Sequence, residues 1–596
     1  MRLMNKYKFI IIHLFAFWTL VTAQTVSVKG IIKSESTDLP IANVSVMISE
    51  LQLLTTSDIS GKFVFNKIKE GEYLISFSHI GYQLQQQKVL IINGVQTEIS
   101  ILLSESELML GEAVVTSSRS FKIIKDVPLP IELIDTKTIE RSIKISTSDV
   151  IEKAPGVSLV SDGTWATGVN IRGLSNQNIV YLIDGNRIET STSISAGLSL
   201  IDLSDVKNIE IVKGGLSSLY GTGATGGVVS IITNQGSVTD NFYFGGSLSS
   251  SYASVNSGKV ASVNLHASDK EWYANIIGTL RNAEDTKIPD GILVNSRFKD
   301  NSLSLSAGIL PVDNVELKLN YQKFDAEDVG IPGGEPFPIN AEATYLYADR
   351  ELMSGELIFK QLSSFLNNLK FKYYFQLISR EVELIPNPDV VIKPQADHRT
   401  NGLALQTDWT FAKNHFLIVG IDAWERSYTG ERKKTIESQN KIITDKPVPN
   451  SKFGNLGFFA NDEMHLMQNR FKLNFGARYD LIKVTNEQTN NPVSIFTNGI
   501  EIIPPPNPDA SYAATEVNNS SWSGNVGLLY SLFEDVSLTF NTAYSFRSPS
   551  LEERYQYINL GSTVYYGNPN LEPEKGLFYD LGVRVWKNKF SFTADG

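Results

Sequence analysis

The chain has 596 residues, a formal net charge of −11 and no cysteine. The length allows several domains or one very large one, and the acidic balance leaves no broad basic face for nucleic acid. The lack of cysteine excludes disulfide frameworks, thiolate metal sites, catalytic thiols and a lipid-modified N-terminal cysteine.

Residues 1–23 carry the three parts of a secretory signal. Arg2, Lys6 and Lys8 form a positive start, Phe9 to Val21 an apolar run broken by His13 and Thr19, and Val21-Thr22-Ala23 a small-residue cleavage point. As a membrane anchor the run is short for roughly 30 Å of hydrocarbon, and no later stretch holds about 18 consecutive apolar residues. An exported chain of this kind is periplasmic, secreted or an outer-membrane β-barrel.

Residues 25–104 read as a compact all-β unit. TVSVKGIIK, ANVSVMISE, GKFVFNKI, GEYLISFSHIGY and TEISILL are strand-like runs punctuated by Asp58, Ser60-Gly61 and Gly71. Their spacing suits a sandwich of about seven strands. The order VKG…PIANVSV…SDISGKFVF…GEYLISFSHIGY resembles the carboxypeptidase regulatory-like, prealbumin-type domain, which implies a fold and no peptidase site. His79 is a lone histidine on a strand, a packed or surface residue before it is a metal ligand. A linker spans 105–125. Within it, Glu112, Ala113, Val114, Val115 and Thr116 of LGEAVVTSSR favour an extended backbone able to pair with the edge of another sheet.

Residues 126–236 mix short strands and helices. IELIDTKTIERS reads as a strand and a helix start, and TSDVIEKAPGV as a helix stopped by Pro155-Gly156. From Asp149 to Asn234 the chain reads DVIEKAPGVSLV, VNIRGL, IVYLIDGNRIE and DVKNIEIVKGGLSSLYGTGATGGVVSIITN. These four blocks, in this order, resemble the plug domain of TonB-dependent outer-membrane receptors. On that resemblance LGEAVVTSSR is similar to the family's energy-coupling (TonB) box, implying a TonB-type periplasmic energy transducer as partner. Gly221, Gly223 and Gly226 also spell GxGxxG, but the dinucleotide site needs a helix after the glycines, and the strand-like VVSIITN follows. Arg172, Asp184, Arg187, Glu210 and Lys213 are charges set in apolar strands. Arg172, Glu210 and Lys213 are candidates for bonding a plug to a surrounding barrel; the bland alternative is a solvated face.

From 237 to 596 the chain alternates. Phe471, Leu473, Phe475, Ala477, Tyr479 and Leu481 are interleaved with Lys472, Asn474, Gly476, Arg478 and Asp480. A soluble sandwich would show the same pattern, so the loops must discriminate. Short turns near 310–314, 362–368, 411–415, 466–470 and 532–535 separate long stretches near 284–299, 326–348, 380–400, 427–451, 484–518 and 547–575. Short turns on one side and long loops on the other mark a transmembrane barrel with lipid outside and water inside. The expected fold is therefore mainly β: a sandwich, an α+β plug, and a large antiparallel barrel in the outer membrane of a Gram-negative-type cell. The runs number about fifteen, whereas receptors of the resembled family close with 22 strands, so the barrel is expected to be C-terminally truncated by roughly seven.

Phe546-Arg547-Ser548-Pro549 and Asn568-Pro569-Asn570-Leu571 resemble the FRAP and NPNL boxes of barrel receptors. The interval between them holds Tyr555, Tyr557, Tyr565 and Tyr566 and no histidine, which counts against the usual haem site. These tyrosines, with Glu335 and Phe337 of GIPGGEPFP, are the candidate ligand contacts. His266, His398, His415 and His465 are scattered without metal-ligand spacing. No nucleophile, base or metal constellation appears, so neither an enzyme nor a cofactor is expected. The resemblance implies energy-coupled import of a siderophore or other metal complex, with cobalamin and haem as alternatives, or a surface ligand-binding or signalling receptor without net transport.

Overall fold

The structure, a computed structural model, describes residues 26–596 except 42–43, 49–50, 52, 59, 69, 80–81, 93–96, 106–112, 115–118, 120–121, 143–145, 162, 189–196, 333–340, 364, 412–413, 468, 503–509, 534, 560–563 and 588–589. The leader at 1–23, together with Glu112, Val115, Thr116, Glu335 and Phe337, lies outside the described residues. The chain divides into two compact units, the first ending at Glu105 and the second running from Ser106 to Gly596.

The first unit is a sandwich of two sheets. Lys62–Ile68, Val26–Ser34 and Thr97–Leu103 form one, and Leu53–Thr56, Ser45–Ile48, Gly71–Ser78 and Gln85–Ile91 the other. Alternation closes it: in Thr97–Leu103, Ile99, Ile101 and Leu103 are buried while Glu98, Ser100 and Leu102 face out. Phe63 meets Phe65 and Phe77 edge-on at 6.2 and 5.6 Å. Its ring lies over Gly30, where a Cβ would come within 2.5 Å of it.

The second unit opens with a small mixed domain, the plug. Its sheet runs Ile131–Ile134, Val206–Lys213, Gly227–Thr233, Ile179–Ile183, Asn186–Ile188. Gly227–Thr233 and Ile179–Ile183 are parallel and the other neighbours antiparallel. Helix starts are set locally. Asp135 accepts from Thr138 N at 2.8 Å to cap Thr136–Arg141, and Ser146 with Asp149 forms a reciprocal capping box on Thr147–Ile151. In the glycine-rich stretch, the short helix Ser217–Tyr220 precedes the glycines and the strand Gly227–Thr233 follows them. No helix therefore opens on this loop, as a dinucleotide site would require.

Fifteen antiparallel strands come next, each bonded to its neighbours in chain order from Tyr243–Ala253 to Phe590–Asp595. Three short loop strands, Lys441–Asp445, Ser494–Thr497 and Ile500–Ile502, bring the sheet to 18. Burial here is inverted relative to a water-soluble sheet. In Phe471–Asn486, Lys472, Asn474, Arg478 and Asp480 are buried, whereas Phe475, Tyr479 and Leu481 are exposed. The polar face is turned inward onto the plug and the apolar face outward, the arrangement a barrel in lipid requires. No helix among the described residues is long and apolar enough to cross a membrane.

One side of the barrel has uniformly short connections, but the other side is not uniformly long. Residues 380–400, expected as a loop, are mostly strand: Leu366–Asn387 and Val390–Phe411 have 22 residues each and reverse at 388–389. About ten residues of tilted strand cross the hydrocarbon, so this hairpin projects beyond it. Outside lipid the outer face has no need of apolar side chains. The alternation that marks a strand in sequence then fades while backbone pairing continues.

Candidate functional site

The plug fills the lumen, and its seat is built from inward-facing barrel side chains. On one side the contact is largely apolar. Trp165 is fully buried against Phe324 and Tyr345, at ring distances of 6.5 and 6.1 Å. Its indole N–H donates to Asp300 Oδ2 at 3.0 Å, and Asp300 is held by Arg281 at 2.6 and 2.8 Å. A buried aromatic with a polar tip needs such an acceptor.

Toward the last strands the contact is polar. Arg172 forms ion pairs with Asp580 at 2.6 Å and Asp595 at 2.7 Å, both on barrel strands. Arg584 donates to the plug carbonyls of Val127 and Leu129 at 2.6 Å each. Ser218 donates to Asn525 at 2.6 Å. Lys213 instead meets Glu132 on the adjacent strand of the plug's own sheet, at 3.1 Å. Glu210 is buried in that sheet between Leu133 and Ser230. Of these three candidates, the geometry brings Arg172 to the wall.

Inside the plug, Asp205 is buried, and burial pushes its carboxyl well above the usual carboxylate range. Asp184 and Asp202 reinforce that direction, while Ser304 and the Asn234 amide oppose it.

The linker is tied to the lumen as well. Ala113–Val114, within the expected coupling box, pairs antiparallel with Lys122–Ile123. Arg119 binds Asp422 at 2.7 Å, Lys122 binds Glu463, and Asp126 binds Lys472 at 2.7 Å.

Above the plug the lumen is roofed by the chain's own segment from Phe546 to Tyr557. Phe546, Leu551, Tyr555 and Tyr557 are buried in one apolar cluster with Trp424 and Phe453 of the wall. Ser550 and Glu553 cap the helix Leu551–Tyr555, and Arg547 clasps Glu553 at 2.7 Å and Glu574 at 2.7 Å. Tyr512 donates to Gln556 O at 2.9 Å. The candidate tyrosines are therefore divided: Tyr555 and Tyr557 lie inside the roof, while Tyr565 and Tyr566 are exposed, with Tyr566 5.6 Å from Tyr557.

Sequence reasoning missed Trp165, Arg119, Asp422, Arg478 and Asp580. Trp165 sits in SDGTWAT without a periodic neighbour, and inward charges on barrel strands look like any polar member of an alternating run. Their partners lie on other strands, from 56 positions away for Arg478–Asp422 to 408 for Arg172–Asp580, so no local signal joins them.

Three family descriptions match the chain. TonB dependent receptor-like, beta-barrel covers residues 361–596, TonB-dependent Receptor Plug Domain covers 123–228, and CarboxypepD_reg-like domain covers 28–115. Among curated relatives, a vitamin B12 transporter of Photobacterium profundum is 35% identical over 161 residues, which is 25% of this chain and 27% of that protein. A hemin receptor of Yersinia enterocolitica is 22% identical over 512 residues, 81% of this chain and 67% of that one. The chain thus spans about a quarter of the first relative and two thirds of the second. In fold it is similar to the copper transporter OprC, with a TM-score of 0.64 at 18% identity, covering 78% of this chain and 71% of that one. The ferric yersiniabactin uptake receptor FyuA of Yersinia pestis gives 0.60 at 16%, with the same coverage of 78% and 71%.

Proposed function

Because the chain belongs to the TonB-dependent receptor family of outer-membrane β-barrels, we propose that it is an energy-coupled importer of a scarce metal complex. The carrying observation is a lumen occupied by a domain with its own five-stranded sheet, whose seat includes ion pairs and hydrogen bonds such as Arg172–Asp580 and Arg584–Val127. Water can replace contacts of this kind as a plug moves, whereas an apolar core resists opening. A TonB-type periplasmic partner would take hold of residues 112–116, whose composition favours strand addition, and draw on the plug from below.

A siderophore-type metal chelate is the leading cargo, ahead of cobalamin and haem. Beside the roof the exposed Tyr565 and Tyr566 present aromatic faces suited to a partly planar polar ligand, and the similar proteins are named for vitamin B12, hemin, copper and ferric yersiniabactin. The second reading, a surface receptor that signals without net transport, draws on the separate N-terminal sandwich. Deleting residues 110–116 separates the two. Import predicts that uptake is lost while surface binding persists, and unchanged uptake would sink it. Competition among labelled ferric siderophores, cyanocobalamin and hemin in cells expressing the full-length protein identifies the cargo.

A further inference from the structure

The outer wall of the barrel carries a cleft of about 570 Å³ that faces away from the plug. It crosses the strands His415–Ile436, Ser451–Leu466 and Phe471–Asn486. Two small residues open it. Gly454 is paired with Glu425 on one side and Lys483 on the other, and Ala423 is paired with Leu403 and Leu456. Gly454 and Ala423 are diagonal neighbours on one face, so their two gaps join into a single notch. Crowding does not force the glycine. A Cβ at 454 would meet only the Lys483 and Trp424 carbonyls, at 3.8 and 4.0 Å.

The notch has an apolar end and a charged end. On His415–Ile436 the outward residues Val419, Ile421 and Ala423 are apolar, and Glu425 is the first charge above them. On Phe471–Asn486, Tyr479 and Leu481 precede Lys483 in the same way. A carboxylate and an ammonium group therefore flank Gly454 at the level where hydrocarbon gives way to headgroups. Lys452, two residues before Gly454 on the same face, stands above the notch. Below, the walls are Leu403 and Leu481, both exposed. We propose that this cleft binds one membrane lipid with a phosphoethanolamine headgroup: Lys452 and Lys483 hold the phosphate, Glu425 accepts from the amine, and an acyl chain starts down over Gly454 and Ala423. The site needs only the barrel in its membrane and is independent of cargo and of energy coupling.

Charge complementarity selects the occupant. Glu425 and Lys483 stand two strand spacings apart, about 9.6 Å. Charge-assisted bonds of about 2.8 Å at each end leave about 4 Å between the bonded ligand atoms. That is the reach of a phosphate and an amine joined by a two-carbon bridge. A purely anionic headgroup would set like charge against Glu425, and a quaternary amine has no N–H to donate to it. The rim charges are free to exchange partners. Lys452–Glu425 at 3.5 Å and Lys483–Glu516 at 2.8 Å are pairs of side chains more than half exposed, and such pairs contribute little by themselves. Inside hydrocarbon the acyl chain gains no hydrophobic free energy, so the notch acts through close packing.

Native mass spectrometry of the full-length protein, released from micelles containing phosphatidylethanolamine, phosphatidylcholine or phosphatidylglycerol with identical acyl chains, tests the site. One phosphatidylethanolamine per protein is expected to survive collision energies that strip the other two, with a retained fraction several-fold higher. Glu425→Gln should lower phosphatidylethanolamine retention to the phosphatidylcholine level and leave phosphatidylcholine unchanged. Gly454→Leu, which fills the notch, should remove the retained copy whichever lipid is offered. Equal retention of the three lipids by the native protein, or undiminished phosphatidylethanolamine on Gly454→Leu, would mean annular lipid only and overturn the site. Preferential retention of phosphatidylglycerol, or a preference that survives Glu425→Gln, would overturn the assigned headgroup. Gel mobility of unboiled protein checks barrel folding. If Gly454→Leu does not fold, Gly454→Val takes its place with the same expected and overturning results.

Discussion

Replacing Ala477 by arginine tests which medium the outer face meets. Ala477 is exposed on Phe471–Asn486 between Phe475 and Tyr479, opposite Ala460 and Gly524 on the flanking strands. The outward apolar run from Leu473 to Leu481 covers about 26 Å of strand, or about 20 Å of height at a tilt of about 40°. Ala477 is at its centre. The small neighbours leave room for a longer side chain, so sterics contribute little. In water, such an exposed substitution falls within about 0.5 kcal/mol of neutral. At a bilayer midplane, arginine costs about 2–4 kcal/mol, a factor of about 30 to 900 in the folding equilibrium. Urea titration in lipid vesicles, followed by tryptophan fluorescence, should show a lower midpoint at unchanged slope. Lys483→Arg, at the polar end of the same face, should move the midpoint little. A loss below about 0.5 kcal/mol for Ala477→Arg in vesicles would refute a lipid-facing wall.

Two further outcomes concern the plug. Trp165→Phe keeps most of the ring packing but removes the donor to Asp300, and should cost about 1–3 kcal/mol, read as earlier proteolysis of the plug in a urea series; equal protease resistance would argue against that anchor. Asp205 has a folded-state pKa raised by burial, so its contribution is fully present below the unfolded carboxylate value near 4 and declines as pH rises through the higher folded value. Plug stability should therefore fall on going from acid to neutral pH, and Asp205→Asn should flatten that slope and stabilise the neutral form. A slope unchanged by Asp205→Asn would mean that other groups set it.

Much of the architecture was legible because it rests on short-range rules. Asp135 and Ser146 cap the helices that follow them through bonds to backbone N–H groups three residues on. The glycine at 223 has a φ of 87° and lies against Gln177 O, so its role as a sharp turn follows from its lack of a Cβ. The residues following Gly226 already argued for a strand. The tall hairpin at 366–411 was less legible, since above the membrane its two faces become chemically alike.

By itself the sequence determined which residues share a face: period-two alternation assigned Lys472, Asn474 and Arg478 to one side and Phe475 and Tyr479 to the other before any coordinates. Alternation alone did not say which side was the inside, because it is symmetric to an exchange of lipid and core, and the expectation of lipid outside came from the short turns and long loops. The tertiary structure decided that, by placing a folded domain against the polar side. It also chose the partners. Arg172 finds Asp580 across 408 positions and Arg119 finds Asp422 across 303. Those pairings depend on how barrel strands are staggered and where the plug stops, and both are set by the sum of all neighbouring registers rather than by any local pattern.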